Sequence, residues 1–149
     1  MKGIAHATGN RIVIASAWLH DHPDDFGMVV HELTHLIQRY PSYEASWLVE
    51  GIADYVRFWV FEPDAPRPVV NPSQNKYTDG YRVTAAFLAR IVETHGVGVI
   101  TGLNRALREG TYDASVFEEL TGKGLDPLWA EYLSALKARS STEASAEPR

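Results

Sequence analysis

The chain has 149 residues, 45% of them hydrophobic and 11% aromatic, enough to bury one core of ordinary domain size. With 14 Lys+Arg against 19 Asp+Glu, a formal net charge of −5, it carries no basic stripe to neutralise phosphates, so nucleic acid is not an expected partner. Zero cysteines excludes disulfides and thiolate metal ligands, and with a mean hydropathy of −0.21 no apolar run is long enough to cross a bilayer.

Residues 3–7 and 11–16 read as a hairpin around Thr8-Gly9-Asn10. Two strands alone are marginal in water, so either helices or a second copy of the chain must complete them, the latter giving a homodimer through the hairpin. Met1-Lys2 is followed by a short, broken apolar stretch that does not read as a secretory signal. His22-Pro23-Asp24-Asp25 then marks a helix start, with acids at the positive end of the helix dipole. Phe26, Val29, Val30, Leu33, Leu36 and Ile37 recur at helical spacing up to the stop at Pro41. Gly27 weakens that helix, which a close approach by another backbone would explain. A second helix spans about 46–61 before Pro63, and the proline-rich stretch 63–76 reads as an irregular cleft wall. Further helices are predicted at about 78–95, 97–108 and 126–137, with a helical turn at 114–121. Residues 1–137 therefore read as one domain and 138–149 as a disordered tail, with the four tryptophans in the core.

The chemistry concentrates in His31-Glu32-Leu33-Thr34-His35. Residues four apart on a helix share a face, with Cβ atoms roughly 5–6 Å apart, so both imidazoles can grip one ion. Glu32 projects beside that ion, where a carboxylate can act as a base. An ordinary half-exposed helix face can carry the same spacing, so a third ligand matters. Glu50 is the candidate, on one face of the second helix with Asp54, which suits a carboxylate partner for a ligand histidine. Their apolar neighbours Trp47, Leu48, Val49, Ile52, Tyr55 and Val56 imply burial, and buried carboxylates need partners. At the start of a later helix, Tyr81 could offer a phenol to an oxyanion, a role for which Tyr77 and Tyr55 compete. His6, His20, His22 and His95 need only exposed or dipole-facing roles.

Several segments together make the chain resemble the basic secretory proteins of plants and bacteria, which are gluzincin-like zinc metallopeptidases. They are Gly9-Asn10-Arg11-Ile12, His31-Glu32-Leu33-Thr34-His35, the run from Trp47 to Arg57, the run from Gly80 to Leu88, Leu120-Thr121-Gly122-Lys123 and Leu128-Trp129. The resemblance implies an α+β, mainly helical, zincin-like peptidase core, here with a reduced N-terminal β-hairpin. It implies one Zn2+ per chain on His31, His35 and Glu50, with Glu32 as general base and Tyr81 as helper. It also implies a secreted protein acting on peptides or proteins. Two features depart from the family: few residues precede the active-site helix, and the charge is acidic.

The activity expected is zinc-assisted hydrolysis of an extended peptide lying along the outer strand, 11–16, in endopeptidase mode. The rival is a catalytically inactive zinc-binding scaffold or interaction module, against which Glu32 argues, and a third option is hydrolysis of a nonpeptide amide.

Overall fold

The computed structural model describes residues 4–146. Strands β1 (Ala5–Thr8) and β2 (Arg11–Ile14) form an antiparallel hairpin in which Thr8 pairs with Arg11 and Ala5 with Ile14. Its two-residue turn needs a positive φ, which Gly9 supplies at +56°. Seven α-helices follow, so the chain is α+β and mainly helical among the described residues: α1 (Ser16–Asp21), α2 (Phe26–Gln38), α3 (Ser46–Tyr55), α4 (Tyr81–His95), α5 (Gly98–Glu109), α6 (Ser115–Thr121) and α7 (Leu125–Ala146). The backbone of α3 continues as a π-helical stretch, Val56–Phe61, and a 3-10 turn, Tyr77–Asp79, precedes α4.

The hairpin lies against α2, chiefly through β1. The core is built around α3 and α4, where Leu48, Val49, Phe87 and Leu88 are fully buried, and it is extended by Leu103 of α5 and Phe117 of α6. At the α3–α4 crossing a Cβ on Gly51 would stand 2.2 Å from Thr84 Cγ2, so only glycine allows this approach. Both ends of α2 are tied to the rest of the molecule. Asp25 caps its N-terminus by accepting from the Met28 amide at 3.1 Å, and the same carboxylate accepts from Arg57 Nη2 at 2.7 Å. At the other end Arg39 turns left-handed, with φ +46°, and Arg108 donates to the freed Ile37 carbonyl at 2.9 Å.

One element was not foreseen and three sequence expectations need correction. The stretch from Ser16 to Asp21 is helical, a helix too short to show periodicity. Trp18 lies outside the core, stacking on His22 and donating to Asp25 Oδ2, while Trp47, Trp59 and Trp129 do pack against the core. The approach to Gly27 comes from a side chain, because a Cβ there would meet the Glu62 carboxylate. Finally, α7 runs past Lys137 to Ala146, consistent with a stretch that contains strong helix formers and neither glycine nor proline before Pro148. Residues 147–149 of the expected tail lie outside the described residues.

Candidate active site

The two histidines lie one turn apart on α2, so their imidazoles project together from the face turned toward α3. His31 Nε2 and His35 Nε2 are 3.1 Å apart, and Glu50 Oε2 on α3 lies 3.2 Å from the first and 3.3 Å from the second. These three atoms, no two more than 3.3 Å apart, belong to residues that line one cleft. Two imidazole nitrogens and one carboxylate oxygen converging on a point are the donor set of a catalytic zinc, so the residues fit that metal.

What lies behind the histidines fixes which nitrogen faces the point. His31 Nδ1 lies 2.7 Å from Oδ1 of the buried Asp54, an acceptor, so Nδ1 carries the proton. His35 Nδ1 lies 2.8 Å from Gln38 Oε1. The amide of Gln38 is oriented in turn by the Val49 carbonyl, which can only accept and takes the Nε2 proton at 3.2 Å. Both Nδ1 atoms are therefore donors, and in the neutral form that binds a metal both Nε2 lone pairs turn to where it would sit. Gln38 escaped the sequence reading. Its signal was its place three residues after His35 on the same helix, a spacing at which side chains meet.

The electrostatics follow from the same contacts. Burial by itself would lower the pKa of His31, but hydrogen bonds and charge from Asp54 and Glu50 outweigh it and raise the value to about 9. His35 is also raised, against burial, by Glu50 and Gln38. Burial would raise the Glu50 carboxyl, yet the two histidines drive it down to about 2. The pocket thus favours positive charge at the point the three ligands share.

Glu32, one residue from His31, is buried at 8% exposure and lines the same cleft of about 940 Å³. No described residue hydrogen-bonds its carboxylate, while no buried side-chain oxygen among the described residues lacks a partner, so its oxygens reach the cleft solvent. Tyr81 closes one side of the site. Its ring stacks on that of His31, with centroids 6.2 Å apart and planes 11° from parallel. It holds a backbone φ of +46°, unusual for a bulky residue and a mark of local strain beside the site. Negative charge from Glu50, then burial, raise its phenol pKa, so it remains a hydrogen-bond donor at neutral pH.

The competing tyrosines are elsewhere. Tyr77 packs on Trp47 and Phe87 and donates to Asp126 at 3.3 Å, and Tyr55 stacks on Trp59. Tyr43, which the sequence reading passed over, lines the cleft and has its pKa raised by burial and by Glu50 and Glu32. The strand bordering the cleft is β1, with Ile4, Ala5, His6 and Ala7 among its lining residues, and not the segment 11–16. No residue of that segment lines the cleft, and α2 meets the hairpin chiefly through β1. His6 on that strand is exposed, as expected, and is also among the residues that line the cleft.

A model of the family described as "Peptidase of plants and bacteria" matches residues 1–132. No curated protein and no solved structure matches the chain.

Proposed function

The chain belongs to the basic secretory protein family of peptidases of plants and bacteria, and from that premise we propose that it is a zinc-dependent endopeptidase with a zincin-like core. One observation carries the reading: His31 Nε2, His35 Nε2 and Glu50 Oε2 converge in a cleft that also exposes the carboxylate of Glu32. Zinc in a three-ligand site of this kind supplies a Lewis acid and brings the pKa of its water to about 7.

The chain's own residues supply the rest. Asp54 and Gln38 hold the ligand tautomers, so no imidazole must reorient during turnover. Glu32 takes a proton from the attacking water and delivers it to the leaving amine, a shuttle that needs a carboxylate with no protein donor of its own. The Tyr81 phenol donates to the oxyanion as it forms. An extended peptide adds its backbone to the free edge of β1, which places a mid-chain bond beside the site and favours the endo mode.

The test is metal analysis of the purified protein together with cleavage of casein and of a peptide library, with and without chelator. About one zinc per chain and chelator-sensitive cleavage are expected. Glu32→Gln should keep zinc and melting temperature while turnover falls about 10²–10⁴-fold. Chelator-resistant cleavage would remove the reading, and tight zinc binding without any hydrolysis would leave a zinc-binding scaffold in its place.

A further inference from the structure

The cleft contains two guanidinium groups, and they are used differently. Arg57 is committed: it donates to Asp25 at 2.7 Å and to Glu62 at 3.2 Å, within the cluster that ties α2 to the end of the π-helical stretch. Arg82, the second residue of α4, forms no ion pair or hydrogen bond among the described residues, although it lines the cleft beside Tyr81 and Phe58. It is nonetheless seated. Its Cζ lies 4.7 Å from the centroid of the Phe58 ring, and Arg57 Cζ lies at the same 4.7 Å from that ring. Phe58 is itself buried, at 5% exposure, so the platform is fixed.

Stacking on a ring uses the face of a guanidinium and leaves its edge N–H donors free. Arg82, exposed but placed over a buried ring, is therefore a planar fork whose hydrogen bonds are unspent among the described residues. It follows directly in sequence on the tyrosine that stacks on His31. The partner such a fork fits best is a carboxylate, which it can meet with two parallel hydrogen bonds.

We propose that Arg82 is a specificity-determining residue that seats a substrate carboxylate in the cleft, so that the preferred peptide carries an acidic group next to the bond that is cut. The inference rests on the peptidase reading above and names its substrate class. Two sources can present this group, an Asp or Glu side chain within the peptide or a free C-terminal carboxylate. Because the carboxylate it holds takes no part in bond breaking, the contact is alike in ground and transition states and its effect falls mainly on KM. The open setting screens the contact, so its strength declines as salt rises.

The experiment compares paired quenched fluorescent peptides on the zinc-loaded protein. One set is identical except for Glu or Gln at each position flanking the cleaved bond, and a second set differs only in a free or amidated C-terminus. The parent should favour the carboxylate-bearing member about tenfold in kcat/KM at low salt, with kcat less affected. In Arg82→Ala that ratio should fall to about one, and in Arg82→Lys, which keeps the charge but loses the fork, it should be intermediate. The set that shows the preference identifies the source. The same peptides are bound to zinc-loaded Glu32→Gln, with and without Arg82→Ala, and followed by fluorescence anisotropy. A carboxylate preference in binding that Arg82→Ala abolishes upholds the seat even if the parent cleaves nothing, in which case the peptidase reading alone falls. Cleavage with no carboxylate preference, or a preference that survives Arg82→Ala, overturns the role of Arg82 and leaves the peptidase reading standing.

Discussion

Gly51→Ala should damage the proposed metal site from a position that touches none of its three side chains. The new Cβ would lie 2.2 Å from Thr84 Cγ2 and 2.6 Å from Thr84 Cβ, against 3.4–4 Å for ordinary contact. Thr84 cannot turn away, because it is fully buried and its hydroxyl donates to the Tyr77 carbonyl at 2.6 Å. The helices α3 and α4 must therefore part by roughly 1–2 Å, an overpacking at the upper end of the usual range, about 2–3 kcal/mol. Better helix propensity returns up to about 1 kcal/mol, leaving a net loss of about 1–2 kcal/mol and a melting temperature lower by about 2–8 °C for a chain of this size. Glu50 immediately precedes Gly51 and moves with it, so zinc affinity should fall as well. Thermal melts and zinc competition against a chromophoric chelator read both effects. Gly98→Ala is the control: nothing lies within 4 Å of a Cβ there, so the melting temperature should hold or rise. Adding Thr84→Ser to Gly51→Ala removes the nearest methyl and should recover part of the loss. A Gly51→Ala protein as stable as its parent, with unchanged zinc affinity, would refute the argument.

Asp54→Ala and Gln38→Ala should each keep zinc in place but loosen it by about 10–100-fold, measured by the same competition, and unchanged affinity would show that the histidine tautomers need no support. Tyr81→Phe should lower turnover by up to about 10²–10³-fold with little change in zinc content, and an unaltered kcat would dismiss the phenol as an oxyanion donor. Burial pushes the phenols of Tyr40, Tyr112 and Tyr132 up to about 12, above the 10.0 of an unfolded chain. Their contribution to stability is complete below pH 10 and is lost as pH rises through 12, so alkaline denaturation should track tyrosinate absorbance, and titration of all three at their ordinary value without unfolding would contradict the burial.

The helices were legible where local signals were strong. Asp25 before a periodic apolar stripe, Pro41 after it, and Gly96 after His95 mark boundaries through capping and chain stiffness, which act over a few residues. The convergence of His31, His35 and Glu50 was legible as well, because helical spacing brings the histidines together and α3 carries Glu50 and Asp54 one turn apart among apolar neighbours. The features missed depend on contacts between distant segments. Nothing near Gln38 announces that the Val49 carbonyl will orient its amide, and nothing near His6 announces that β1 rather than β2 will border the cleft. Tyr43, between helices, carries no periodicity that could assign it a face.

The cluster of Asp25, Arg57 and Glu62 at one end of α2, and the Gln38 and Arg108 contacts at the other, hold the two ligand-bearing helices in register by protein contacts alone. A metal bound there would therefore have little scaffold left to organise. Unlike a small domain that is a random coil until its ion arrives, this chain should release and recapture zinc while its tertiary structure persists. Amide hydrogen exchange along α2 would then stay slow after chelation, and the ion would be free to serve chemistry rather than architecture.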